Sequence, residues 1–285
     1  MRDRPPIAPT ATVKAIVETP VKTWKRVRKF NLWSWIILVI GLIYFFLPLL
    51  ATFEFSLRAI KGRYSLEAYR IAFSDPAFFR SFGLSMLWAI LTIIITLLLV
   101  LPTAYWVHLR LPRLRPAVEF VTLMPFVVPA VVLVFGFIRM YGRYTFMVSI
   151  PILLIAGYIV LSLPYMFRAV DAGLRAIDVR TLTEAAQSLG ASWPTIIFRV
   201  IFPNLRVAIL SGVFLTFAIV MGEFTFANLL VWPAFGPYME LLGAKEAYAP
   251  QALAVVSFLL TWGSIGLLAR IGRGAPGQGQ IAGAR

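Results

Sequence analysis

Six apolar runs, each nearly free of charge, dominate the pattern of this chain: residues 33–53, 82–107, 118–138, 146–167, 207–230 and 252–268. Each is close to the ~20 residues a helix needs to cross ~30 Å of hydrocarbon. Backbone polar groups in lipid must be satisfied within the segment, and barrel strands would be shorter and alternating. The pattern predicts an all-α, polytopic membrane protein with six transmembrane helices. It leaves a tail at 1–31, a membrane domain at 32–272 and a second tail at 273–285. Pro48, Pro102, Pro125, Pro129, Pro151 and Pro164 fall inside the runs or at their ends. Each removes a backbone donor, and as a set they predict curved helices around a central cavity.

The longest polar interruption, residues 170–205, separates the fourth run from the fifth. Asp171, Arg175 and Asp178 recur at helical spacing, so opposite charges can meet on one face. Leu174, Ile177, Leu182, Ala185, Ala186 and Leu189 supply a second, apolar stripe. Gly190 ends this helix as a residue able to take positive φ. Ser192 is placed to cap a second short helix with Pro194 in its first turn, and Pro203 to stop it before the fifth run. By its residues alone, this helix–turn–helix is either a docking element for something in water or an amphipathic hairpin on the bilayer surface.

Composition supports the membrane reading, with 60% hydrophobic residues against the ~45–50% usual in soluble domains. The net charge of +15 is spread in short segments beside the apolar runs, which is a topology signal and not a nucleic-acid face. With the termini inside, 19 of the 27 basic residues lie on the termini's side, eight of them before residue 31. The bias predicts cytoplasmic termini and a cytoplasmic hairpin. Leu47-Pro48-Leu49-Leu50 offers no small-residue cleavage site, so the first run is expected to stay as a span. With no cysteine and a single histidine, His108, no disulfide, thiolate site or His cluster can form. His108 is expected to be structural or interfacial.

Glu184-Ala185-Ala186, three residues, Gly190, nine residues, then Val200-x-Phe202-Pro203 closely resembles the EAA loop of binding-protein-dependent ABC importer permeases. Val200 and Phe202 stand where that family has Ile and Leu. The likeness extends over roughly residues 30–272. It implies a subunit, itself no enzyme, of a prokaryotic inner or plasma membrane. Its expected partners are an ABC ATPase dimer, a second permease (homo- or heterodimeric) and an extracytoplasmic solute-binding protein. It also implies roles: Glu184 as a polar contact to the ATPase, Ala185 and Ala186 as the close-packed face, Gly190 as the turn and Pro203 as the motif's end. No G-x-x-x-x-G-K-[ST] sequence occurs, so ATP must be used by the partner, and this chain is expected to need no cofactor and no metal.

Charges inside membranes are costly, which singles out Glu223 in the fifth run, with Phe224 and Asn228 beside it. Glu223 either faces a solute or gate, or pairs with Arg139 or Arg143. Gly222-Glu223-Phe224-Thr225 is similar to permeases of the polyamine, ferric-iron, thiamine and phosphonate group, and the tryptophan-asparagine pair of sugar permeases is absent. A carboxylate among aromatics suits a cationic amine, which points to a polyamine; iron, thiamine, phosphonate or sugar are the alternatives. A stand-alone carrier or channel is the remote alternative, disfavoured by the absence of repeats. Tyr141, Tyr144, Trp232, Tyr238 and Tyr248 are expected in an interfacial belt. The loop 55–81 is read as a contact for the solute-binding protein or as an interfacial helix.

Overall fold

A computed structural model describes residues 32–273; the two predicted tails lie almost wholly outside the described residues. Among the described residues every regular element is helical. The first helix, α1 (Leu32–Ser56), carries Pro48 inside it, and the stretch up to Pro48 forms a unit by itself. The remainder forms a second unit, Leu49–Arg285.

That second unit is built on three helices, α3 (Pro76–Arg110), α7 (Ile152–Ala176) and α11 (Arg206–Gly222), which pack on one another. α3 begins where Asp75 accepts the Ala77 N–H at 2.8 Å and Pro76 fills the first turn, a position that needs no donor. Between α3 and α7 lies a buried hydroxyl pair. Ser162 donates to Tyr158 O at 2.7 Å, so Thr96, 3.3 Å away, supplies the hydrogen of their contact. Around this core sit α2 (Glu67–Ser74), α4 (Arg115–Val127), α5 (Ala130–Tyr141) and α6 (Thr145–Ser149). The loop 55–81 thus contains one short helix, α2. Its α2 buries Ala68 and Ala72 and packs against α3 and the last helix, α14 (Ala249–Arg273).

The six predicted spans are only partly continuous. Among the described residues three helices, α1, α3 and α7, are long and apolar enough to cross a membrane, and counting each bent pair as one span gives five. The described apolar part of α14 is Ala249–Leu260. The run 118–138 is broken into α4 and α5, which meet at 98°. The cause is Pro129: it holds the preceding Val128 extended (φ −88°, ψ 117°), so α4 stops before it. The fourth run is shifted, because Pro151 separates the short α6 from α7, and α7 continues to Ala176 well past the expected end.

Candidate functional site

The hairpin forms, with its first helix at α8 (Val179–Ser188). Asp178 does not continue the charge ladder of α7, which ends at Ala176; it caps α8 instead. Its carboxylate accepts the Thr181 hydroxyl at 2.7 Å and the Thr181 N–H at 3.1 Å. These bonds, the hydroxyl first, hold the Asp178 carboxyl below the usual carboxylate range. At the other end Gly190 has φ +77° and donates its N–H to Gln187 O at 2.9 Å. Nothing lies within 4 Å of where its Cβ would sit, so the need for glycine is conformational.

Glu184, Ala185 and Leu189 are exposed, Leu189 at 88%, and Arg180 Nε lies 3.1 Å from Glu184 Oε1. Ala186 is turned inward, packed with Val179, Ile196 and Ile201, so only Ala185 of the two alanines is presented outward. The second arm starts at Ser192 and runs through α9 (Trp193–Thr195), a π-turn (Ile196–Ile201) and α10 (Phe202–Asn204). The arm ends at Asn204, one residue past Pro203, as the position of that proline predicts. Pro203 sits at the end of this helical run, and the chain turns by 80° into α11 after Asn204.

At the root of the hairpin, the buried Asp171 carboxylate gathers groups from three helices. His108 Nε2 lies 2.7 Å from Oδ1, Arg115 Nη2 3.2 Å from Oδ1, and Arg175 Nη2 2.5 Å from Oδ2. Glu119 approaches Arg175 at 4.0 Å. The expected structural role of His108 is thus realised in a network that the sequence alone revealed only in part. The Asp171–Arg175 pair is the i, i+4 contact that the helical spacing predicts, while His108 and Arg115 come from 63 and 56 positions away.

Glu223 does not lie within a continuous fifth span. α11 ends at Gly222, and Glu223 is extended (φ −76°, ψ 128°) before the short α12 (Thr225–Leu229). Its carboxylate accepts the Phe226 N–H at 3.0 and 3.1 Å, an internal cap. Among the described residues it makes no ion pair with Arg139 or Arg143. Phe226 is buried against Gly157, where a Cβ would stand 2.0 Å from its ring. The following helix, α13 (Phe235–Lys245), also packs on the break: a Cβ on Gly236 would lie 2.7 Å from Glu223 O. At the Asp75 end of α13, the Tyr238 hydroxyl donates to Asp75 at 3.0 Å. Burial, and secondarily that bond, pushes its pKa up to about 12.

Beside the break is an apolar cavity of about 790 Å³, walled by Phe82, Met86, Phe217, Met221, Phe224 and Phe258 among others. Of the expected pathway residues only Phe224 faces it. Glu223 is half-buried at the break, and Asn228 is exposed away from the cavity wall. Phe82 and Met86 were missed because their helix is apolar on every side and gives no period to read.

Residues 100–273 match the family described as the binding-protein-dependent transport system inner membrane component. The chain belongs to this family. The hairpin, residues 170–205, lies within the matched span. The spermidine/putrescine transport system permease protein PotB of Haemophilus influenzae is 31% identical over 153 residues, 48% of this chain and 53% of that one. The methionine import system permease protein MetP of Bacillus subtilis is 30% identical over 99 residues, 35% of this chain and 44% of that one. The alignments thus span about half the length of these curated relatives. A solved bacterial ABC transporter involved in the import of the acidic polysaccharide alginate shares the fold at TM-score 0.60 and 15% identity, covering 84% of this chain and 96% of that one. An amino acid ABC transporter crystallised with histidines does so at TM-score 0.51 and 18% identity, over 72% and 97%.

Proposed function

We propose that this chain is the membrane-spanning permease subunit of an ABC importer. It forms the solute path and couples ATP hydrolysis on a separate ATPase dimer to uptake of a small polar solute. The observation that carries this reading is the hairpin itself: an α8 with Glu184 and Ala185 exposed, closed by Gly190 at φ +77°. Docked in an ATPase groove, such a rigid element passes on the partner's closure as a shift between two discrete arrangements. In this reading the subunit crosses a prokaryotic inner or plasma membrane six times with its termini and hairpin in the cytoplasm. It pairs with a second permease and receives solute from an external binding protein.

For the solute we propose a polyamine. Support comes from the spermidine/putrescine permeases among the relatives. The methionine permease relative and the apolar cavity favour a second reading, a solute with a substantial apolar part. Thermal-shift screening of the associated solute-binding protein with putrescine, spermidine and methionine separates the two. A shift with amines alone supports the first, and a shift with methionine alone removes it. For the coupling role, Glu184→Lys is expected to abolish solute-stimulated ATP hydrolysis while the subunit still inserts. Normal stimulation in that variant would sink the assignment.

A further inference from the structure

α8 is joined by the chain to α7 on one side and, through the second arm, to α11 on the other. α3 has no such link, yet its last two turns grip the hairpin at two places. Tyr105 is fully buried, and its hydroxyl lies 2.8 Å from Thr183 Oγ1, one residue before Glu184. The Thr183 hydroxyl hydrogen is already committed to Val179 O at 2.6 Å, so Tyr105 is the donor. The neighbouring Trp106 packs edge-on against Trp193 of the second arm, with ring centroids 5.2 Å apart. One turn further on, the Arg110 guanidinium lies over both rings, 5.4 and 5.8 Å from their centroids. His108, between these residues, bonds Asp171 and holds the same end of α3 onto α7.

The apolar side chains of α3, α8 and the π-turn already share one cluster. Apolar faces slide past one another at small cost, which is how shear motions between packed helices occur. A buried directional bond behaves differently. If α8 moved without α3, the Tyr105 and Thr183 oxygens would part inside that cluster, and a buried donor left without its acceptor is costly. We propose that Tyr105 with Thr183, and Trp106 and Arg110 with Trp193, clamp α3 to both arms of the hairpin, so that α3 is a third helix driven by the ATPase stroke. The clamp residues are positioning residues, and the proposal rests on the hairpin being the docking point of the ATPase.

α3 and α11 both line the apolar cavity, through Met86 and Leu215 respectively. Because the chain has no cysteine, each can carry a single bimane fluorophore as Met86→Cys or Leu215→Cys. The emission change on adding Mg-ATP with orthovanadate is read in the transporter assembled with its ATPase. In the otherwise native chain both reporters respond. Tyr105→Phe and Thr183→Val, which keep shape and remove the bond, each reduce the Met86 response by about fivefold, the size of one net hydrogen bond, and spare the Leu215 response. The double variant is no worse than either single one, and Trp193→Leu lowers the Met86 response independently. A full Met86 response in all of these variants overturns the clamp. So does loss at both reporters in Tyr105→Phe, because the hydroxyl would then serve the hairpin's own fold. Silence of both reporters in the native background overturns the coupling reading and the clamp with it.

Discussion

The hairpin turn at Gly190 and the helix break at Glu223 look alike in sequence, each pairing a glycine with a nearby glutamate, and they are built on opposite principles. At Gly190 the space around the missing Cβ is empty and only the sign of φ matters. Around the break, glycine is needed for room: Gly157 and Gly236 would place a Cβ 2.0 and 2.7 Å from other atoms. Glu184 is exposed, whereas Glu223 is turned onto a backbone N–H. A surface shaped to receive a partner keeps its neighbourhood open. A bend inside a helical bundle must close on itself, because no water is available to satisfy the freed backbone.

The sharpest way to break this comparison is Gly190→Pro, whose fixed negative φ is incompatible with +77°. Solute-stimulated ATP hydrolysis is expected to vanish. Gly190→Ala, which meets no atom, costs about 1–2 kcal/mol of strain and leaves measurable coupling. Second in size, Asp171→Asn at the hairpin root leaves Arg115 and Arg175 without their shared carboxylate. A loss of about 3 kcal/mol is expected in chemical unfolding of the purified subunit. The loss sits at the low end for a buried ion pair because Arg175 is half exposed. Third, Gly157→Ala drives a methyl into the Phe226 ring and costs about 2 kcal/mol, read as a lowered thermal midpoint, with hairpin coupling per folded molecule unchanged. An equal effect on coupling would erase the distinction between the two regions.

The smallest expected effect concerns Asp178. Its folded pKa is depressed, so the cap's contribution is fully present above the ordinary value of 3.8 and is lost as pH falls through the lower folded value. Amide exchange at Thr181 and Leu182 is expected to quicken only in that acid window. Protection lost already near neutral pH would contradict the cap.

Much of the hairpin was legible because its signals are local. Gly190 acts within a turn of its own position; Ser192 opens the second arm without a side-chain bond to its backbone, and of the alanine pair only Ala185 faces outward. Asp178 was misread because the same side chain suits a helix face and a helix cap, and only the end of α7 decides between them. The cavity and the contacts of Asp171 with His108 and Arg115 escaped for a different reason. They are assembled from helices far apart in sequence, and uniformly apolar helices carry no period that says which side faces inward. Pro129 was seen but taken for a kink in a continuous span. The extended Val128 before it converts that kink into a break of 98°.

That break bears on how the subunit enters its membrane. At 1.5 Å per residue, α4 with 13 residues reaches about 20 Å and α5 with 12 about 18 Å, so neither half crosses ~30 Å of hydrocarbon unaided. By length, neither half is expected to insert as an independent span. The pair depends on α3 being in place ahead of it and on α7, which packs against both, arriving behind. Residues 115–141 become part of the membrane domain by assembly with their neighbours, so a truncation after α5 should leave them unanchored while α3 stays inserted.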